Sequence, residues 1–203
     1  MGRWSATANA RSRVLDDAEL KSVWETSKTA GYFGALVRFV LLTAARRSEA
    51  ANLCWKEISK DGNWFLPAAK NKTNVNFVRP LSKAAQAILA GQPRLGDFVF
   101  TFNGTRPISF GRCKREFMKQ CGIADRWTLH DLRRTARTLL SRAGVDADIA
   151  ERCLGHSIRG ARGIYDRHPY HDEMRSAFEA LSTQIERIVN PAMGEVVPWR
   201  RHG

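Results

Sequence analysis

Three short stretches of the 203-residue chain carry side chains able to act on a phosphate. They are Thr43-Ala44-Ala45-Arg46-Arg47-Ser48-Glu49, His130-Asp131-Leu132-Arg133, and Leu154-Gly155-His156 followed nine residues later by Tyr165. Arginine presents a planar fork of donors that grips two phosphate oxygens together, and that grip strengthens as charge builds in a pentacoordinate transition state. Imidazoles such as His130 and His156 can hold or move protons, and a tyrosine hydroxyl can serve as nucleophile. His130 and Arg133, three apart at a helix start, project from one face. Each piece alone has a plainer reading: Arg46 as a charge at a helix C-terminus, His130 and Arg133 as a solvated helix start, His156 as a helix-end residue, Tyr165 as packing. Their joint order and spacing favours the chemical one.

Charge agrees with a phosphate-bearing partner. Thirty-three Lys and Arg against twenty Asp and Glu give a net charge of +13, shared along the chain as +7 up to residue 90 and +6 after it. From Phe100 to Leu140 nine basic residues face three acidic ones, the densest positive region. Nucleic acid is the leading partner class and an anionic membrane surface trails. Ala35–Leu42 is interrupted by Arg38 and is too short to span a bilayer. Residues 1–13 have no apolar central stretch of the secretory kind, which points to a cytoplasmic location. The four cysteines, 54, 113, 121 and 153, have no zinc-type spacing and read as reduced thiols, with Cys153 in the core.

The elements that must position these residues are mostly helical. Asp16-x-x-Glu19 opens a helix, Phe33–Leu42 reads as a buried helix, and a short helix starts near Ser48. Strand signals are confined to Trp64–Leu66 and Val75–Val78, joined by a polar turn. From Ser82 onward the pattern is mainly helical. Ser109 caps a helix that ends near Gly122, another runs from about His130 to Gly144, and Asp146 opens one that stops at Gly155. A final amphipathic helix over 172–189 carries a stripe of Met174, Phe178, Leu181, Ile185 and Ile188. The expected fold is mainly α with a small antiparallel β-sheet, with a linker or remnant over 1–14, one domain over 15–190, and a basic tail over 191–203.

In this order and spacing the three stretches resemble the catalytic domain of the tyrosine recombinases, also called the phage integrase family. The stretch from Thr128 to Tyr165 is especially similar to integrases of prophages and genomic islands, and the resemblance runs from about Leu15 to Val189. It implies a transesterification without metal or cofactor. Tyr165 attacks a DNA phosphate, forms a 3′-phosphotyrosine and releases a 5′-hydroxyl that later reverses the step. By the family pattern Arg46 and Arg133 clamp the non-bridging oxygens, His130 acts on protons near the nucleophile, His156 completes the phosphate pocket and Glu49 supports the site.

The family also uses a hairpin lysine to protonate the leaving oxygen. Counting back from Arg79-Pro80-Leu81 favours Lys72, with Lys70 on the same strand face if the strand is regular. Arg47, Arg134 and Arg137 read as DNA-backbone contacts. Tyr32 and Tyr170 are less well spaced than Tyr165, and His168 and His171 read as bystanders. One departure is Ala44, where the family usually has glycine. The family's N-terminal DNA-clasping domain has no counterpart expected here, so the chain reads as a catalytic domain whose full-length protein assembles as a tetramer on double-stranded attachment-site DNA. The final helix docks on its own domain or on a neighbour. Competing readings are a type IB topoisomerase, a non-enzymatic DNA-binding regulator, and a metal nuclease suggested by His130-Asp131.

Overall fold

The computed structural model describes residues 13–156 and 168–191. Tyr165 lies outside the described residues, as do 1–12 and 192–203, which hold most of the expected linker and tail. Helix α1 (Asp17–Thr29) starts where its cap dictates: the Glu19 N–H donates to the Asp16 carboxylate at 2.8 Å and the Asp16 N–H donates to the Glu19 carboxylate at 3.0 Å. Helix α2 (Gly31–Thr43) is apolar on nearly every side, Arg38 being its one charged residue, with ten of its thirteen residues buried, and so forms the centre of the domain. Around it pack α1, α4 (Lys83–Ala90), α6 (Leu129–Arg142) and α8 (His171–Val189). The remaining helices are α3 (Arg47–Ala51), α5 (Gly111–Gln120) and α7 (Ala147–Cys153).

Strands β1 (Asn63–Leu66) and β2 (Phe77–Pro80) pair antiparallel, with Trp64 opposite Arg79 and Leu66 opposite Phe77. The second strand begins two residues later than its hydrophobic pattern predicts. Asn71 is the reason: its side-chain amide donates to the Val75 carbonyl at 2.7 Å, its carboxamide oxygen accepts from the Thr73 N–H at 3.2 Å, and its carbonyl accepts from the Asn74 N–H at 2.9 Å. Val75 is therefore drawn into the turn and stands 62% exposed. Between α4 and α5 the chain is also less helical than expected. Val99 and Trp55 donate backbone bonds to Leu53 and Asp97, which stitches this connection beside the end of α3. Helix α5 begins at Gly111 without a side-chain cap, so Ser109 does not serve as one.

Helix α8 buries Met174, Phe178, Leu181 and Ile185 as its stripe requires, with Ile188 partly covered. It packs on α1, α6, α7 and β2 of its own chain. Burial of each large side chain contributes about 1.5–3 kcal/mol.

Helix α2 ends at Ala44 in the left-handed region, φ 49°, ψ 25°. That conformation costs a residue with a Cβ about 1–2 kcal/mol, whereas the buried methyl contributes about 0.8 kcal/mol. Ala44→Gly is therefore expected to raise the melting temperature slightly, by about 1–2 °C, and the β-branched Ala44→Val to lower it by several times that amount. Calorimetry of the three proteins checks the order; a lower midpoint for the glycine variant contradicts the strain.

Candidate active site

The turn after α2 places Arg46 at the N-cap of α3, and Glu49 sits one turn into that helix. The Glu49 carboxylate is buried and accepts from both the Arg46 N–H, at 3.0 Å, and the Arg46 guanidinium, at 2.6 Å. One carboxylate thus caps the helix and fixes the arginine that faces the cleft. Burial raises the Glu49 carboxyl, but the neighbouring guanidiniums of Arg79 and Arg46 outweigh it and hold the group below its ordinary range.

Arg133 comes from the first half of α6 and is only 5% exposed. Its guanidinium donates to the Ala44 carbonyl at 2.7 Å, to the Leu154 carbonyl at 2.7 Å and to His156 Nε2 at 3.1 Å. Desolvation, with Arg79 and Arg46 nearby, brings its pKa down to about 9, so it remains a cation at neutral pH. His156 follows Gly155, which ends α7 at φ 68° and turns the chain back. Because Nε2 accepts from Arg133, the proton of the neutral ring belongs on Nδ1, which lies 2.6 Å from the Glu151 carboxylate. Glu151 also accepts from Arg137 Nε at 2.8 Å. Burial raises the Glu151 carboxyl, but these two donors lower it further, and it ends below its ordinary range.

The connection between the strands separates the two lysines. Lys70 ends a single 3-10 turn, and its ammonium donates to the Asn52 carbonyl at 2.9 Å and to Glu57. Lys72 lies two residues further, in the turn, and lines the same cleft as Arg46, His130, Arg133 and His156. Neither is on a strand, so strand alternation does not govern their directions. Ion pairing assigns Lys70 to Glu57 and leaves Lys72 at the cleft.

The cleft has a volume of ≈ 710 Å³, and its lining holds five cations, Arg46, Lys72, Arg133, Arg134 and Arg137, against one carboxylate, Glu151. His130 stands at the start of α6 beside them. Desolvation first, then Arg134 and Arg133, holds its imidazole below the ordinary value. Of the three expected DNA contacts, Arg134 and Arg137 line the cleft, while Arg47 stands outside it with its guanidinium 4.7 Å from the Phe110 ring. The Asp131 oxygens accept from the Thr128 N–H and hydroxyl, at 2.8 and 2.9 Å, and from Arg134. Of the other tyrosines, Tyr32 stands edge-on to Phe102 and Tyr170 lies beneath Arg152. His171 bonds to Asn63, away from the cleft lining. Cys153 is core, its thiol pushed up to about 12 by burial.

Comparison with known proteins decides the family. Residues 13–171 match the phage integrase family. The chain belongs to that family. It is similar to prophage integrase IntA of Escherichia coli (strain K12), 31% identical over 147 residues, which are 69% of this chain and 35% of the relative. It is also 30% identical over 159 residues to prophage integrase IntZ of the same organism, covering 75% of this chain and 39% of that protein. The chain thus spans little more than a third of the length of these curated relatives. Among solved structures, the integrase from mycobacterium phage Brujita matches with a TM-score of 0.65 at 18% identity, covering 93% of this chain and 67% of that one. The lambda integrase catalytic core matches with a TM-score of 0.59 at 22% identity, covering 72% and 96%. These likenesses establish the phage integrase fold, mainly helical with a small antiparallel sheet.

Two residues of this family member were not singled out by sequence. Glu151 is five positions before His156, on the last turns of α7, and only the packing of α6 against α7 brings Arg137 to it. Arg79 was used as a register marker, yet it is fully buried beside Glu49. A cation on the inward face of a short strand was the available signal.

The direction for His130 is testable. Its proton resonances should titrate below those of a free histidine, whose pKa is about 6.5, and Arg134→Gln should move the midpoint up by removing the strongest nearby charge. Because the folded state disfavours the imidazolium, His130 contributes stability above its ordinary pKa that is lost as pH falls towards the depressed value. An unchanged midpoint in the variant would show that the charge of Arg134 does not reach the ring.

Proposed function

We propose that residues 15–190 form the catalytic domain of a site-specific DNA recombinase that integrates or excises mobile DNA. The observation that carries this reading is the convergence of Arg46, Lys72, His130, Arg133 and His156, from separate segments, on one cationic cleft of a phage integrase family member. Arg46 and Arg133 grip the non-bridging oxygens of the scissile phosphate, and His156 completes the pocket. The Tyr165 oxygen attacks phosphorus, the phosphorus–O5′ bond breaks, and a 3′-phosphotyrosine forms. His130, kept neutral by its surroundings, receives the phenol proton, and Lys72 gives a proton to the leaving 5′ oxygen. Attack by a 5′-hydroxyl reverses each step, so the energy of the bond is retained and no cofactor is consumed.

Double-stranded DNA is the proposed partner, with Arg47, Arg134 and Arg137 on its backbone. A lambda integrase dimer bound to a COC′ core site and a lambda integrase tetramer bound to a Holliday junction support assembly of several copies in the full-length protein. Among the described residues, no helix is long and apolar enough to cross a membrane.

A nicked duplex carrying attachment-site DNA, incubated with the protein and EDTA, should yield a covalent adduct on a denaturing gel. Tyr165→Phe should abolish the adduct while binding stays within about twofold. Lys72→Ala should slow adduct formation by about 10²–10⁴, and replacing the leaving oxygen by sulfur, which needs no proton, should restore most of the rate. An adduct that survives in Tyr165→Phe removes the assignment. If no adduct forms even with a DNA-clasping domain supplied, the binding-only reading replaces it.

A further inference from the structure

Arg79 is a charged side chain of the sheet that lies in the core. It stands on β2, fully buried, with its guanidinium carbon 4.8 Å from the Trp64 ring and 4.9 Å from the Phe77 ring. Its Nε, Nη1 and Nη2 have no hydrogen-bond partner among the described residues. Its ion-pair partner there is Glu49, with Oε2 3.5 Å from Nη2, an approach too long for a good hydrogen bond. An apolar side chain between two aromatic rings would serve packing at least as well, because burying a guanidinium carries a desolvation penalty that a single distant carboxylate does not offset.

The position of Glu49 gives the cation a use. That carboxylate is shared: Arg46 takes it from the cleft side, at 2.6 Å, and Arg79 from the core side. With Arg46 alone, the pair would be neutral and Arg46 would be held to its own counterion. With Arg79 behind it, the cluster carries a net charge of +1 beside the cleft. We propose that Arg79 is a positioning residue for the phosphate clamp: by sharing Glu49 from behind, it leaves Arg46 with charge to offer a phosphate.

This inference rests on the recombinase reading, in which Arg46 grips the scissile phosphate. Among the described residues, the charged groups acting on Glu49 and its partners are Arg46 at the start of α3, Arg79 on β2 and Arg133 on α6. Behind Arg79 lies Cys153 on α7, a neutral thiol at working pH. Burial raises Glu49, and Arg79 is the foremost of the charges that bring it down. Removing Arg79 therefore lets Glu49 protonate at higher pH.

The test is a double-mutant cycle read against pH, with the full chain and the suicide duplex on which the unmodified protein forms its adduct. Arg79→Met, of similar length and able to lie between the same rings, should fold with an unchanged or higher melting temperature and form adduct roughly tenfold more slowly. The acid limb of its rate profile should move to higher pH. In a Glu49→Gln background the same substitution should change the rate by less than about twofold, since the shared carboxylate is gone. Arg79→Lys, which keeps the charge, should retain the original acid limb; it also decides the matter if the methionine variant does not fold.

A parallel titration with inorganic phosphate, followed through the His130 and His156 proton resonances, reads the clamp without chemistry. Arg79→Met should weaken phosphate binding only when Glu49 is present. Equal losses in both backgrounds, an unmoved acid limb, or a lysine variant as slow as the methionine one would overturn the proposal. Absence of any adduct from the unmodified protein counts against the recombinase reading instead, and the phosphate titration still decides the role of Arg79.

Discussion

The guanidinium of Arg133 is the interaction on which the site depends, because it fastens the ends of α2 and α7 to α6 at one point. It reaches the Ala44 carbonyl after α2, the Leu154 carbonyl at the end of α7 and the ring of His156. Burying a cation is costly unless its donors are satisfied, and breaking such an arrangement costs about 3–5 kcal/mol. Both carbonyls belong to chain reversals: Ala44 itself adopts a left-handed backbone, and Gly155 does so immediately after Leu154. The strained turn at Ala44 and the helix stop at Gly155 are thus the geometry that lets one arginine gather the cleft.

Around that point carboxylates stand behind or beside cations. Glu49 holds Arg46, Asp131 holds Arg134, and Glu151 holds Arg137 together with His156. The carboxylates of Glu49 and Asp131 are buried, and their cations are only partly open to solvent. The consequence of these pairs is orientation. Each fixes a long, flexible side chain near the cleft, reducing the entropy that would otherwise be lost when a phosphate binds. The lining still carries a clear positive excess, which suits a polyanion.

Much of this was legible along the chain because it is local. The cap at Asp16 and Glu19, the apolar run of α2, the stripe of α8 and the stop at Gly155 all depend on neighbours within about one helical turn. So does the pairing of His130 with Arg133, three apart on α6. The failures are non-local or involve a side chain that rewrites its own loop. Asn71 folds the connection between the strands and delays β2, and a backbone stitch from Leu53 to Val99 holds a stretch after α4 that is less helical than the pattern from Ser82 onward. Hydrophobic period carries no information about either.

By itself the sequence carried the family and the mainly α fold class and proposed most of the candidate site residues, since those rest on residue type, order and spacing. Tyr165 stands on that evidence alone. Tertiary structure decided what those residues face. It sent Lys70 to Glu57 and Lys72 to the cleft, turned Asp131 into a helix cap, recruited Glu151 from α7, and set Arg79 behind Glu49 in the core. Each of these is a meeting of charges, and the strength of such a meeting depends on distance and burial, which a linear order of residues does not contain.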